Sequence, residues 1–218
     1  MTTDTDYLRP TPFVDCGDPA IAAFAQAAVG EARTAKEKAI ALYGAVRDKI
    51  EYDPYIDFLD PAVFRASAVL EVGRGFCVGK SALLAAAARA SGIPARPGYA
   101  DVRNHLTSRR LKESMGDIFY WHSYTELHVD GTWVKCTPAF DAALCARANI
   151  APLEFDGVND SLFHPFDQAG RRHMEYLALR GAYEDVPCAT IIADFKKFYP
   201  KLLAASPAAA KFRDEVTT

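Results

Sequence analysis

The sequence lacks the signatures of several common functional classes. It has no basic run and no alternation of basic with aromatic residues, and its formal net charge is −3, so nucleic-acid binding has little support. None of its apolar stretches approaches the roughly 20 residues of a membrane-spanning helix, so no membrane partner is expected. Residues 1–6 are acidic and contain no signal-peptide core, which makes a cytoplasmic location the expectation.

Paired cysteines and metal-binding motifs are also missing. The five cysteines are odd in number and include no CxxC pair, which argues against a disulfide framework and a structural zinc site. The five histidines show no HExxH spacing. We therefore expect no metal and no cofactor. The cysteines are Cys16, Cys77, Cys136, Cys145 and Cys188.

One of these cysteines stands at a predicted helix start. Cys77 follows a glycine-punctuated turn and precedes an alanine- and leucine-rich run over residues 81–90, which predicts a helix that ends at Gly92. The unpaired N–H groups and the dipole of a helix N-terminus favour the thiolate, and the same N–H groups could hold an oxyanion. The alternative is that Cys77 is a small buried apolar residue.

The patterns on either side of this helix indicate an α+β fold. Helices are predicted to begin after Asp18 and after Thr34, the second with a capping box. Beyond Gly92 the sequence predicts antiparallel strands joined by an Asp130–Gly131 hairpin turn. The predicted strands cover residues 95–102, 119–129 and 132–137. A polar surface insertion is predicted over 107–114, a loop pinned by Phe155, Phe163 and Phe166 over 149–170, and helices over 141–148, 171–180, 187–199 and 206–216.

A cysteine nucleophile needs a base, and His122 is the candidate. It lies in the aromatic strand that precedes the hairpin, 45 residues after Cys77 (122 − 77). A histidine in this position is more often a half-buried structural residue, but the company of a helix-start cysteine favours the role of base.

The two segments that carry these residues resemble the transglutaminase-like superfamily, whose fold is papain-like. The segments are GRGFCVGKSALLAAAARASGIPAR and WHSYTELHVDGTWVKCTP, and the resemblance covers about residues 35–140. It implies that Cys77 is the nucleophile and His122 the base. It also implies N-terminal helices and a central cysteine-bearing helix packed on an antiparallel β-sheet. We interpret residues 1–218 as one such domain, with 141–218 as a loop and helical extension.

The third member of the expected triad departs from the family pattern. The family has an aspartate before a proline on the return strand, whereas this sequence has Thr137 before Pro138. Asp141, 19 residues after His122 (141 − 122), is preferred as the replacement, with Thr137 as the alternative. Asp141 is equally well placed to be a helix N-cap, and a triad that has degenerated is a further reading.

Three aromatic residues are candidates for the oxyanion site or the cleft walls. They are Tyr52, Trp121 and Tyr124. A buried structural role is the alternative for each of them.

The function expected from this reading is cysteine-dependent acyl transfer at a peptide or protein amide, with hydrolysis preferred. Protein-glutamine transglutaminase activity is one alternative. A non-catalytic binding or scaffold protein on a degenerate fold is another, and a redox pair of Cys77 with Cys136 is a third. The sequence does not identify the oligomeric state.

Overall fold

The computed structural model describes residues 4–105, 108–164, 166–204 and 212. The helix predicted over residues 206–216 lies outside this part of the chain, apart from Phe212. The α-helices are α1 (Pro19–Val29), α2 (Ala35–Lys49), α3 (Ala66–Val72), α4 (Cys77–Ala90), α5 (Arg109–Met115), α6 (Ala142–Ala148), α7 (Cys188–Phe198) and α8 (Pro200–Ala204). The strands are β1 (Glu51–Tyr52), β2 (Arg74–Gly75), β3 (Ala95–Asn104), β4 (Ile118–Val129), β5 (Thr132–Cys136) and β6 (Met174–Ala182).

Helix α4 forms the centre of the molecule. Its residues from Val78 to Arg89 are buried, with α1, α2 and α3 packed against it together with strands β3 and β4. Its small side chains permit this close approach: a Cβ on Gly79 would lie 2.6 Å from the carbonyl oxygen of Val63. The buried ammonium of Lys80 donates to the carbonyl oxygens of Arg47 and Ile50, where a positive charge complements the C-terminal end of α2.

The predicted helix boundaries are confirmed by their caps. The Asp18 side chain accepts from the N–H of Ala20, and Thr34 and Glu37 form the predicted reciprocal capping box. Helix α4 ends in a Schellman motif in which Gly92 has a φ of 80° and the Ile93 N–H donates to the carbonyl of Ala88 at 2.9 Å.

The main sheet is antiparallel, with the order β5–β4–β3–β6. Asp130 and Gly131, with φ values of 49° and 84°, close the predicted β4–β5 hairpin; positive φ at both central residues is the I′ pattern that matches strand twist. Together with the helices around α4, this sheet establishes the α+β class predicted from the sequence.

The helix predicted over residues 171–180 is wrong, because Met174–Ala182 forms β6. Its Met, Leu, Ala and Arg residues have good helix propensity, but the open edge of β3 offers a ladder of backbone hydrogen bonds, and tertiary context overrides propensity. The described residues within 149–170 form a loop as predicted, with Phe155 and Phe163 buried. Phe166 does not pin it to the core, since it is 55% exposed.

Candidate active site

The turn before Cys77 is fixed by a short parallel ladder. Strand β1 pairs with β2, aligning Tyr52 with Gly75, and the Asp53 N–H donates to the Gly75 carbonyl at 3.0 Å. Phe76 then serves as the N-cap residue of α4, and its ring is buried edge-on against Phe58. The Cys77 sulfur is therefore presented in the first turn of a buried helix.

His122 is presented by a β-bulge in strand β4. Ala100 pairs with His122 and Val102 with Phe119, so the register shifts between these two pairs. At this bulge Trp121 has a φ of 60°, a left-handed conformation that is strained for a bulky residue. Bulges of this kind redirect the next side chain, and here the next side chain is the imidazole.

A polar network holds the strained tryptophan. Its indole Nε1 donates to Asp194 at 2.7 Å, and its backbone N–H donates to Asp101 at 3.2 Å. Arg180 donates to the same Asp101 carboxylate at 2.6 Å, and its guanidinium carbon lies 4.4 Å from the centre of the indole ring. The network joins β3, β4, β6 and α7. Distant parts of the chain therefore fix the bulge from which the His122 side chain projects.

Cys77 and His122 line the same cleft, and its other walls are mostly apolar and aromatic. Six phenylalanines contribute, namely Phe58, Phe76, Phe119, Phe140, Phe163 and Phe195. Leu111, Met115 and Met174 complete much of the lining. The space that a water molecule can reach inside is about 30 Å³, which is room for one or two waters. The structure therefore shows a nearly closed apolar cleft around the cysteine and histidine.

This environment keeps both groups neutral. Burial raises the pKa of the Cys77 thiol from 9.0 to about 11, although the backbone N–H groups of Ser123 and Val78 act in the opposite direction. Burial alone lowers the pKa of His122 from 6.5 to about 3. The sequence led us to expect a thiolate. The cleft gives a neutral thiol instead, because loss of solvent outweighs the hydrogen bonds at the helix N-terminus.

The His122 ring is held by packing. It lies 4.8 Å from the Phe163 ring and 6.4 Å from the Tyr176 ring, measured between centroids. Its Nε2 is buried and has no hydrogen-bond partner among the described residues. A buried donor or acceptor without a partner is costly to the folded state.

Neither candidate for the third triad member bonds to that nitrogen. Asp141 is instead the N-cap of α6: one carboxylate oxygen accepts from the Leu144 N–H at 2.9 Å, and the other accepts from the Tyr52 N–H at 3.4 Å. The structure thus shows Asp141 in the capping role that the sequence equally allowed. Thr137 is buried, and its hydroxyl makes no hydrogen bond to Nε2.

The three aromatic candidates have different positions. Tyr52 and Trp121 line the cleft with Cys77, and burial raises the pKa of Tyr52 well above 10.0. Tyr124 is not among the described residues that line it. The Tyr124 ring instead packs over Gly98, so closely that a Cβ on Gly98 would lie 2.2 Å from a ring carbon.

Sequence reasoning missed the part of the lining that α5 supplies. Residues 107–114 were expected to be a solvated surface, yet Leu111 is buried and lines the cleft with Met115. The signal was present: two apolar residues four positions apart lie on one face of a helix that is otherwise polar. Met174 was missed because its segment was predicted to be helical.

The described residues contain no group of three His, Cys, Asp or Glu side chains placed to hold a metal ion. The cysteines in this part of the chain are free thiols. No helix in the described ranges is long and apolar enough to cross a membrane.

Comparisons with known proteins agree with this geometry. A family model described as the transglutaminase-like superfamily matches residues 22–138. A solved structure from Cytophaga hutchinsonii, provisionally named a cysteine protease, has a similar fold with a TM-score of 0.52 and 18% sequence identity. The match covers 88% of this chain and 50% of that one, so the chain spans about half the length of the structure it resembles. A search of curated proteins gave no significant match.

Proposed function

Since the chain belongs to the transglutaminase-like superfamily, we propose that it is a cysteine-dependent acyl-transfer enzyme acting at an amide of a peptide or protein, with water as the acceptor. The observation that carries the proposal is the shared cleft, which Cys77 at the start of α4 and His122 at the bulge of β4 both line. Cys77 is the nucleophile and His122 the base.

Because Cys77 and His122 are both neutral before the reaction, the thiol proton moves to His122 as the sulfur attacks. The Cys77 sulfur forms a bond to the carbonyl carbon of the amide while His122 accepts the thiol proton, as a serine–histidine pair does. The Ser123 and Val78 N–H groups, which act to lower the pKa of the Cys77 thiol, are the candidates to stabilise the oxyanion. The C–N bond then breaks, and the amine leaves with the proton held by His122. Water next gives up a proton to His122 and cleaves the thioester, which restores the thiol and releases a carboxylic acid.

A small activated ester, p-nitrophenyl acetate, tests the nucleophile and the base without requiring the natural substrate. The expected results are a burst of p-nitrophenol and an acetyl group on Cys77, located by mass spectrometry. Cys77→Ala should abolish both. His122→Gln should slow acylation by roughly 100- to 10,000-fold, the range for a general base.

Cys16→Ala is the matched control, since Cys16 is also a free, partly exposed thiol; it should leave the burst unchanged. A primary amine added to the reaction distinguishes the acceptors, because a transglutaminase would divert the acyl group to the amine. An acetyl group found on cysteines in general, with no preference for Cys77, would contradict the proposal.

A non-catalytic binding protein is the second candidate. It is favoured by the missing hydrogen bond at His122 Nε2, because a base without an orienting partner loses stabilisation of its imidazolium form. In that case Cys77 should react with p-nitrophenyl acetate no faster than an unfolded cysteine peptide.

A further inference from the structure

The residues that line the cleft indicate what kind of group can bind next to the Cys77 sulfur. Six of the 13 phenylalanines in the chain line it. None of the described residues in the lining is Asp, Glu, Lys, Arg, Asn or Gln. A polar chain that entered would lose its water and find few partners, whereas an apolar chain would gain by leaving water.

The flexible residues are concentrated in the same place. Two of the three methionines in the sequence, Met115 and Met174, lie in the lining. Methionine is unbranched and adapts to the shape of what it contacts. The cleft now holds only about 30 Å³ of space open to water, so a ligand requires the walls to move. Methionine side chains permit that movement without exposing a polar group.

One polar atom in this apolar environment lacks a partner. His122 is 4% exposed, lines the cleft, and has an Nε2 without a hydrogen bond among the described residues. Among the described residues, the cleft thus combines mostly apolar walls with an unsatisfied nitrogen on one of the residues that line it. This combination suits a ligand with one polar end and an apolar body.

We propose that the acyl group transferred by this protein carries a large apolar chain, aromatic or branched aliphatic, next to its reacting carbonyl. The chain occupies the space between the phenylalanines and the α5 residues Leu111 and Met115, and the carbonyl lies at Cys77. This inference rests on the proposed function, which identifies Cys77 as the nucleophile, and adds the substrate class.

Three p-nitrophenyl esters test it: the acetate, the phenylpropionate and the carbamoylbutyrate, whose chain is polar and of similar length. The acylation rate of Cys77 per molar ester is divided by the rate of the same ester with free cysteine, which removes intrinsic reactivity. The normalised acylation rate of the phenylpropionate is expected to exceed that of the carbamoylbutyrate by about 10- to 100-fold, the range for burial of one large apolar side chain. Normalised rates within about threefold of each other would overturn the inference and leave the proposed function standing.

Two variants of α5 localise the effect. Leu111→Gln places a polar group in the lining and should reduce the preference for phenylpropionate, whereas Lys112→Gln, on the exposed side of the same helix, should preserve it. If Leu111→Gln fails to fold, the wild-type series still decides the question.

3-Phenylpropan-1-ol separates the two possible failures, because it has the same apolar chain but no carbonyl group and so cannot acylate a thiol. Its protection of Cys77 from iodoacetamide reports apolar binding alone. Protection without acylation by any ester would contradict the proposed function and support recognition of apolar chains. If neither protection nor acylation is observed, the proposed function and the apolar-chain inference are both contradicted.

Discussion

His122 should remain neutral in mildly acidic solution, and the structure gives the size of the effect. Its pKa is lowered from 6.5 to about 3 by burial. At 1.36 kcal/mol per pKa unit, protonating it in the folded state costs roughly 5 kcal/mol. Because the pKa of the folded state is depressed, this contribution to stability is present above pH 6.5 and is lost as the pH falls towards 3.

The perturbation is His122→Phe, which keeps a ring against Phe163 and removes the titrating group. Between pH 6.5 and about 4.5 the wild type should lose about 2.5 kcal/mol of unfolding free energy relative to the variant. Urea unfolding at several pH values measures this difference, and the carboxylates common to both proteins cancel. Leu59→Gln, a change at an exposed residue that does not titrate, is the control and should not alter the pH dependence.

Nuclear magnetic resonance offers a direct check, since the ring C–H signal of His122 should not move between pH 8 and about 5. A signal that titrates at or above pH 6.5 would refute the reasoning. It would mean that His122 is an imidazolium stabilised by a Cys77 thiolate, which is the ion pair that the apolar cleft excludes.

Other consequences of the structure can be measured independently. Gly98→Ala should destabilise the fold by about 2–3 kcal/mol, because a Cβ there would lie 2.2 Å from a tyrosine ring. Gly44 lies in a helix and a Cβ there would have nothing within 4 Å, so Gly44→Ala should stabilise the fold by about 0.5–1 kcal/mol. Thermal unfolding of the two variants measures both effects. Asp194→Ala removes the acceptor of the Trp121 indole and should cost about 1.5 kcal/mol while slowing ester acylation, whereas unchanged acylation would disprove a link from this network to the imidazole. The Cys77 thiol should keep its proton until about pH 11, so its contribution to stability is present below pH 9 and is lost as the pH rises towards 11. When the absorbance of Cys77→Ala is subtracted from that of the wild type, the thiolate absorbance should show no ionisation of Cys77 at pH 9.

The helical half and the hairpin were predictable because their signals are local. Asp18, Thr34 and Gly92 are read within one helical turn, and the cap that each forms depends on its neighbours in sequence. The Asp130–Gly131 turn is equally local. Strand β6 was not predictable in this way, because its conformation depends on the edge of β3, at least 70 residues earlier in the chain (174 − 104).

The chemistry of the site divides along the same line. Sequence alone determined which side chains to propose as reactive, a cysteine at the start of an alanine-rich helix and a histidine in the strand before the hairpin turn, since residue type and spacing carry that information. Only the tertiary structure decided their protonation, the capping role of Asp141 and the apolar walls supplied by α5 and β6. A pKa and a cleft depend on solvent exclusion by segments far apart in the chain, and no local pattern encodes how those segments pack.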